Sequence, residues 1–131
     1  MRAPAHVLRT KDCLCLAARR QARSVTRVYE EKLRPHGLRA TQFSVLAALA
    51  LKGPTPIGIL ADFLVLERTT LTRGSALMAN KGWLDVASAP DGRERRLRLT
   101  AAGRRKLEAA FPAWSEAQEL VRRGSSNETP G

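Results

Sequence analysis

From Cys13 to Arg34 no Gly or Pro interrupts the chain, and Leu14, Ala18, Ala22, Val25, Val28 and Leu33 recur at helical spacing. Arg19, Arg20, Arg23 and Arg27 stud the opposite face. Asp12 is the expected N-cap of this first helix, and Pro35-His36-Gly37 its expected stop. A second predicted helix opens at Thr41 and ends at Gly53-Pro54. Phe43, Leu46, Ala47 and Leu49 to Leu51 suggest burial on more than one side. Thr55-Pro56-Ile57 leaves room for a minimal edge strand only, because Pro56 has no N–H to give to a ladder. A short helix follows from Ile57 to Leu64, with Ile59, Leu60 and Phe63 expected to face inward. Leu64-Val65-Leu66 is the expected turn. A further helix spans Glu67 to Asn80 and stops at Lys81-Gly82, a cation followed by a helix-ending glycine.

After Gly82 the period changes from helical to alternating. Trp83 to Ala89 reads as a strand, Pro90-Asp91-Gly92 as a turn, and Arg93 to Thr100 as a second strand. In that second strand Leu97 and Leu99 point one way, Arg96 and Arg98 the other. Thr100 is placed to cap a last helix reaching about Arg123, with Gly103 in its first turn and Pro112 at a kink position. The predicted organisation is a flexible basic arm over residues 1–11, one folded domain over 12–123, and a disordered tail over 124–131. The predicted fold is mainly α with a small β-hairpin wing: a winged helix-turn-helix with flanking helices.

Composition narrows the partner. The 131 residues carry 23 Lys and Arg against 12 Asp and Glu, a net charge of +11, so a polyanion is expected. Nucleic acid ranks ahead of an anionic membrane, since 18 of the basic residues are Arg, whose fork suits phosphates and guanine edges. The longest apolar stretch, Phe43 to Leu51, is far short of a membrane span and contains Ser44. No apolar signal-peptide core stands near the first residues, so a cytoplasmic location is expected, with Cys13 and Cys15 reduced. No Ser-His-Asp set, His pair with carboxylate, or glycine-rich phosphate loop occurs, which argues against an enzyme and against a cofactor. Cys13 and Cys15 lie about 200° apart around a helix, which disfavours a disulfide between them. His6 and His36 have no spacing that would complete a metal site.

Two segments carry the candidate chemistry. On the helix Glu67 to Asn80, Leu71, Gly74, Met78 and marginally Leu77 form the expected buried face. Arg68, Thr69, Thr72 and Arg73 form the open face, with Thr70 at its edge. Short hydroxyl side chains allow close approach to base edges in a major groove, and Arg binds phosphates and guanines. The plain alternative is a solvated amphipathic helix. The hairpin adds Arg93, Arg95, Arg96 and Arg98, a charge density suited to the enhanced negative potential of a minor groove. A nonspecific or architectural nucleic-acid binder is the main competing reading. It would need the arginines but not the threonines.

The runs LERTTLTR (66–73), DGRERRLRLTAAG (91–103) and RPHGLRATQFSVLAAL (34–49) together resemble the MarR family, over roughly residues 12–118. The resemblance implies a homodimeric, sequence-specific regulator on double-stranded DNA, by family habit a repressor. Each recognition helix and wing would meet half of a pseudo-palindromic site. It implies Arg93 as the minor-groove residue, and Asp91 as a brace for an arginine at the DNA face, Arg73 being one candidate. A plain turn role is the alternative for Asp91. It further implies a small aromatic or oxidant effector. In the peroxide-sensing branch a first-helix Cys is held by tyrosines. Cys15 and Tyr29 match one such Cys and Tyr, whereas Ala40 stands where a second Tyr is expected. A buried, inert interface thiol is the alternative. Family dimers use the first helix and two C-terminal helices. One such helix is legible here, so a smaller interface is expected.

Overall fold

The long first helix is capped by a thiol. In the computed structural model, which describes residues 2–88 and 95–127, Cys13 is extended (φ −65°, ψ 114°) and its Sγ accepts the N–H of Leu16 at 3.5 Å. Asp12, the expected cap, instead falls in a 3₁₀ turn (Arg9–Asp12) that follows a short helix α1 (Ala5–Leu8). Residues 5–12 are therefore helical rather than irregular, although every one of them is exposed. Helix α2 (Leu14–Leu33) gives way to a 3₁₀ turn (Arg34–His36) and to Gly37, whose φ of 69° lies in the left-handed region that glycine enters without steric cost.

Helix α3 (Ala40–Lys52) is started by two borrowed acceptors. Gln42 Oε1 takes the N–H of Arg39 (2.9 Å), and Glu30 Oε1 reaches from α2 to take the N–H of Ala40 (3.0 Å). Phe43, Val45, Leu46, Ala48 and Leu49 are buried, while Leu51 is exposed, so the helix is packed on several sides but not to its end. Then come β1 (Thr55–Pro56), α4 (Ile57–Leu64) and α5 (Arg68–Asn80). On α4 the buried residues are Leu60 and Ala61; Ile59 and Phe63 face outward, contrary to expectation. An eight-residue apolar helix offers more apolar positions than one inward stripe can use. The outward Phe63 ring lies under Lys52 Nζ, 4.2 Å from the centroid.

Strands β2 (Leu84–Ser88) and β3 (Arg95–Leu99) form the hairpin, and β1 pairs with the other edge of β3, giving the antiparallel order β1-β3-β2. Thr55, Leu97 and Val86 stand in one row, and Leu84 and Leu99 in the row two residues along, on the same face. The proline-bearing β1 sits at the edge, where its missing donor costs no ladder bond. The expected turn at Pro90-Asp91-Gly92 lies outside the described residues.

Thr100 Oγ1 accepts the N–H of Gly103 (3.0 Å) and starts α6 (Ala101–Asn127), which runs through Pro112 and past Arg123. Gly103 is required by packing: a Cβ there would collide with the Trp83 carbonyl and approach Leu99 Cδ1 to 2.8 Å. Helix α6 returns antiparallel along α2, with the Tyr29 hydroxyl donating to Gln118 Oε1 and Lys32 paired with Glu116 at 3.3 Å. Trp114 stacks on Phe43 of α3, ring centroids 5.9 Å apart, tying α6 to the core. That core is aliphatic: Leu33, Leu46, Leu49, Leu60, Leu71 and Met78 are all buried. No helix among the described residues is long and apolar enough to cross a membrane.

Candidate nucleic-acid interface

Helices α4 and α5 are joined by a sharp turn at Val65, held left-handed (φ 55°, ψ 48°). The N–H groups of Val65 and Leu66 return to the carbonyls of Asp62 (3.2 Å) and Ala61 (2.9 Å), which closes the end of α4. Helix α5 is seated by Leu71, Ser75 and Met78. The buried position expected at Gly74 is thus shared with Ser75, whose Oγ has no hydrogen-bond partner, and Leu77 is exposed. With that face fixed inward, Arg68, Thr69, Thr70, Thr72 and Arg73 are all exposed. Thr72 Oγ1 donates to the Arg68 carbonyl (2.8 Å), which ties the hydroxyl to the helix backbone while the residue stays exposed.

The hairpin divides its arginines by strand alternation. Arg95 lies on the same face of β3 as Leu97, and with Arg68 it lines a hollow of about 630 Å³. Gly58 and Asp62 of α4 line the same hollow, and the Arg68 guanidinium rests against Gly58. Arg96 and Arg98 lie on the other face. Arg98 is committed there, with Nε and Nη2 donating to Asp85 Oδ1 and Oδ2 at 2.9 and 3.0 Å. The paired guanidinium holds the Asp85 carboxyl below its usual range, and Asp85 in turn raises Arg98. Arg96 is half-buried, and its Nε has no hydrogen-bond partner among the described residues. Among the described residues, Arg68, Arg73 and Arg95 form no ion pair with a carboxylate. Arg93 and Asp91 lie outside the described residues.

Two features were missed by sequence reasoning. Arg39, Thr41 and Gln42 at the start of α3 share a hollow with Thr70 and Gly74 of α5, so the exposed polar surface continues beyond the helix-turn-helix. Nothing local in the sequence announces this, because it depends on how α3 crosses α5. The Asp85–Arg98 pair was legible in principle, since the two alternating runs pair as a hairpin that sets those residues opposite each other. Cys15 and Tyr29 are both on α2, about 21 Å apart along its axis, so Tyr29 does not hold the thiol of its own chain. Cys13 and Cys15 are both exposed.

A helix pair joined by a tight turn, followed by a hairpin that folds back beside the second helix, defines a winged helix-turn-helix. Solved structures share this arrangement over nearly the whole chain. The transcriptional regulator MosR of M. tuberculosis, solved with DNA, is 38% identical, with 88% of this chain and 92% of that chain covered and a TM-score of 0.74. MarR of E. coli in its apo form is 25% identical, with coverages of 88% and 85% and a TM-score of 0.75. The helix-turn-helix-type transcriptional regulator YwoH of Bacillus subtilis (strain 168) is 32% identical over 87 residues, which span 66% of this chain and 64% of YwoH. No family profile matches the chain. The chain belongs to the MarR family of transcriptional regulators.

Proposed function

We propose that this chain is a sequence-specific transcription regulator that binds double-stranded DNA as a homodimer, with α5 in a major groove and the hairpin in the neighbouring minor groove. The observation that carries this reading is the exposed face of Arg68, Thr69, Thr70, Thr72 and Arg73, with Arg95, which forms no ion pair among the described residues, across a shared hollow. The DNA-bound relative MosR supports it. In this reading the threonines read base edges, Arg68, Arg73, Arg95 and Arg96 hold phosphates, Arg93 enters the minor groove, and Asp91 braces the wing. The test is selection of bound duplex from a random pool. A pseudo-palindrome with half-sites about 34–36 Å apart is expected. Thr69→Ala and Thr72→Ala should then narrow the gap between selected and random DNA. Equal affinity for both DNAs in the wild type would favour the architectural alternative.

The dimer is supported by apolar side chains left in solvent on α1, α2 and α6: Leu8, Leu14, Leu16, Phe111 and Leu120 are all exposed. Sedimentation should give a dimer at micromolar concentration, and a monomer would remove this part of the proposal. The regulator is read as a repressor released by an effector. An oxidant acting on Cys15 is one such effector, since the thiol is exposed in the single chain; a thiol buried inert in the dimer interface is the alternative. Stoichiometric peroxide should lower DNA affinity of the wild type and leave Cys15→Ser unchanged; an unaffected wild type rules the oxidant out.

A further inference from the structure

A second basic surface runs along α2, and we infer that it extends the DNA footprint by holding the phosphate backbone of the duplex engaged by α5. The inference rests on the DNA-binding reading above. Arg23, Arg27 and Arg34 line one groove with Glu30 and Arg39, against the turn that leads into α3. From Arg23 to Arg34 is about 16 Å along the helix, close to half a turn of duplex.

Three observations point to a phosphate chain as occupant. The first is charge accounting. Among the described residues Glu30 is the one carboxylate lining the groove, and it is committed: Oε1 accepts the Ala40 N–H, and Oε2 accepts Arg39 Nε–H at 2.9 Å. Arg23, Arg27 and Arg34 form no ion pair among the described residues. The second is rigidity. Because Glu30 also starts α3, the groove floor is part of the frame that positions the lobe, not a loose arm. The third is continuity. Glu30 and Arg39 line both this groove and the hollow that contains Thr70 and Gly74 of α5. A backbone leaving the recognition helix at Thr70 thus meets Arg39 first and then the α2 arginines, without crossing an acidic side chain in either hollow other than Glu30.

These side chains would position DNA without reading sequence, since phosphates carry no base identity. The experiment compares wild type, R23A/R27A and R23K/R27K on the selected operator and on random duplex across a salt series. Unchanged melting temperatures serve as the control for folding. Expected is a loss of about tenfold in affinity for R23A/R27A on both DNAs, with the salt slope reduced by about 2, since each phosphate contact contributes about 0.9. The Lys variant should keep most of the slope. Thr70→Ala should instead lower operator affinity alone. If R23A/R27A binds both DNAs as wild type does while Arg68→Ala weakens both, the inference fails and the DNA-binding reading stands. If wild type binds no duplex at low salt, the reading itself fails. A further arm adds inorganic phosphate at constant ionic strength. Weaker DNA binding in wild type but not in R23A/R27A, with the two equal before phosphate is added, would assign the groove to a free anion and overturn the inference.

Discussion

The lobe built from α3 to β3 and the pair of long helices beside it are finished to different degrees. Inside the lobe Leu46 and Leu60 are 0% exposed, and the apolar residues of their core cluster come from five helices, α2 to α6, and the sheet. On α2 the pattern is reversed. Only Leu33, at its C-terminal end, is buried, and Leu14 at the other end is 84% exposed. The two regions have similar apolar resources but different use of them. The lobe closes on itself, so its shape is set within one chain. The far ends of α2 and α6 leave apolar surface in solvent, the surface that the proposed homodimer would cover.

Truncating one leucine in each region should separate the two most strongly. Leu46→Ala should cost about 3 kcal/mol, since it removes a fully buried side chain and leaves a cavity in a lobe that cannot collapse around it. Leu14→Ala should change chemical denaturation of the dilute monomer by less than about 0.5 kcal/mol. It should nonetheless weaken self-association in sedimentation. Comparable losses of stability from both substitutions would mean that the α2 end is already packed, and the contrast would be void.

Next in size is the joint between the two regions. Gly103→Ala drives a methyl into the Trp83 carbonyl, which is held in place by the Thr100 N–H at 3.1 Å. Backbone on both sides leaves no flexible neighbour to yield, so a loss of about 2–3 kcal/mol is expected by thermal or urea melting. A loss under half of that would show that α6 pivots freely on the sheet.

Much of the lobe could be read in advance, and the reasons are local. Ile57–Leu64 appears where the sequence places it, because Pro56 and the Val65 turn bracket it. The hairpin was legible from alternation, and the Thr100 cap from its place between strand and helix. What escaped was set by distant neighbours. Asp12 lost the cap to Cys13 because α1 and its 3₁₀ turn absorb the residues before α2. Phe63 and Ile59 face outward because Leu60 and Ala61 take the buried side of α4. Glu30 caps α3 across a helix boundary that no spacing rule spans. For the candidate site, the threonine and arginine face of α5 followed from helical geometry. The split of Arg95 from Arg96 and Arg98 followed from strand alternation, but the hollow shared by Arg95 and Arg68 did not, since it depends on how the wing folds back over α4.

A smaller test sharpens the lobe side. Val65 carries a β-branched side chain in the left-handed region, where such residues are strained, and it is 89% exposed. Val65→Asn should therefore relieve strain without losing burial and raise stability by about 1 kcal/mol. A destabilised variant would mean that the valine makes contacts worth more than its strain.

The smallest effect is expected on the outer face of the wing, where neither region's packing is involved. Asp85 is held below its usual range first by its hydrogen bond to Arg98. A carboxyl with a depressed folded value binds fewer protons folded than unfolded, so its stabilisation is complete above the ordinary carboxylate range. It drains away as pH falls through that range toward the folded value. Both side chains are about half exposed, so solvent screens the pair and the change in melting temperature is small. Asp85→Asn should leave the neutral-pH melting temperature nearly unchanged and flatten the acid limb of the profile below about pH 4. High salt should flatten the wild type in the same way. An unaltered acid limb in Asp85→Asn would show that the pair does not persist in solution. It would also release Arg98 to join Arg96 as an uncommitted cation on that face of the wing.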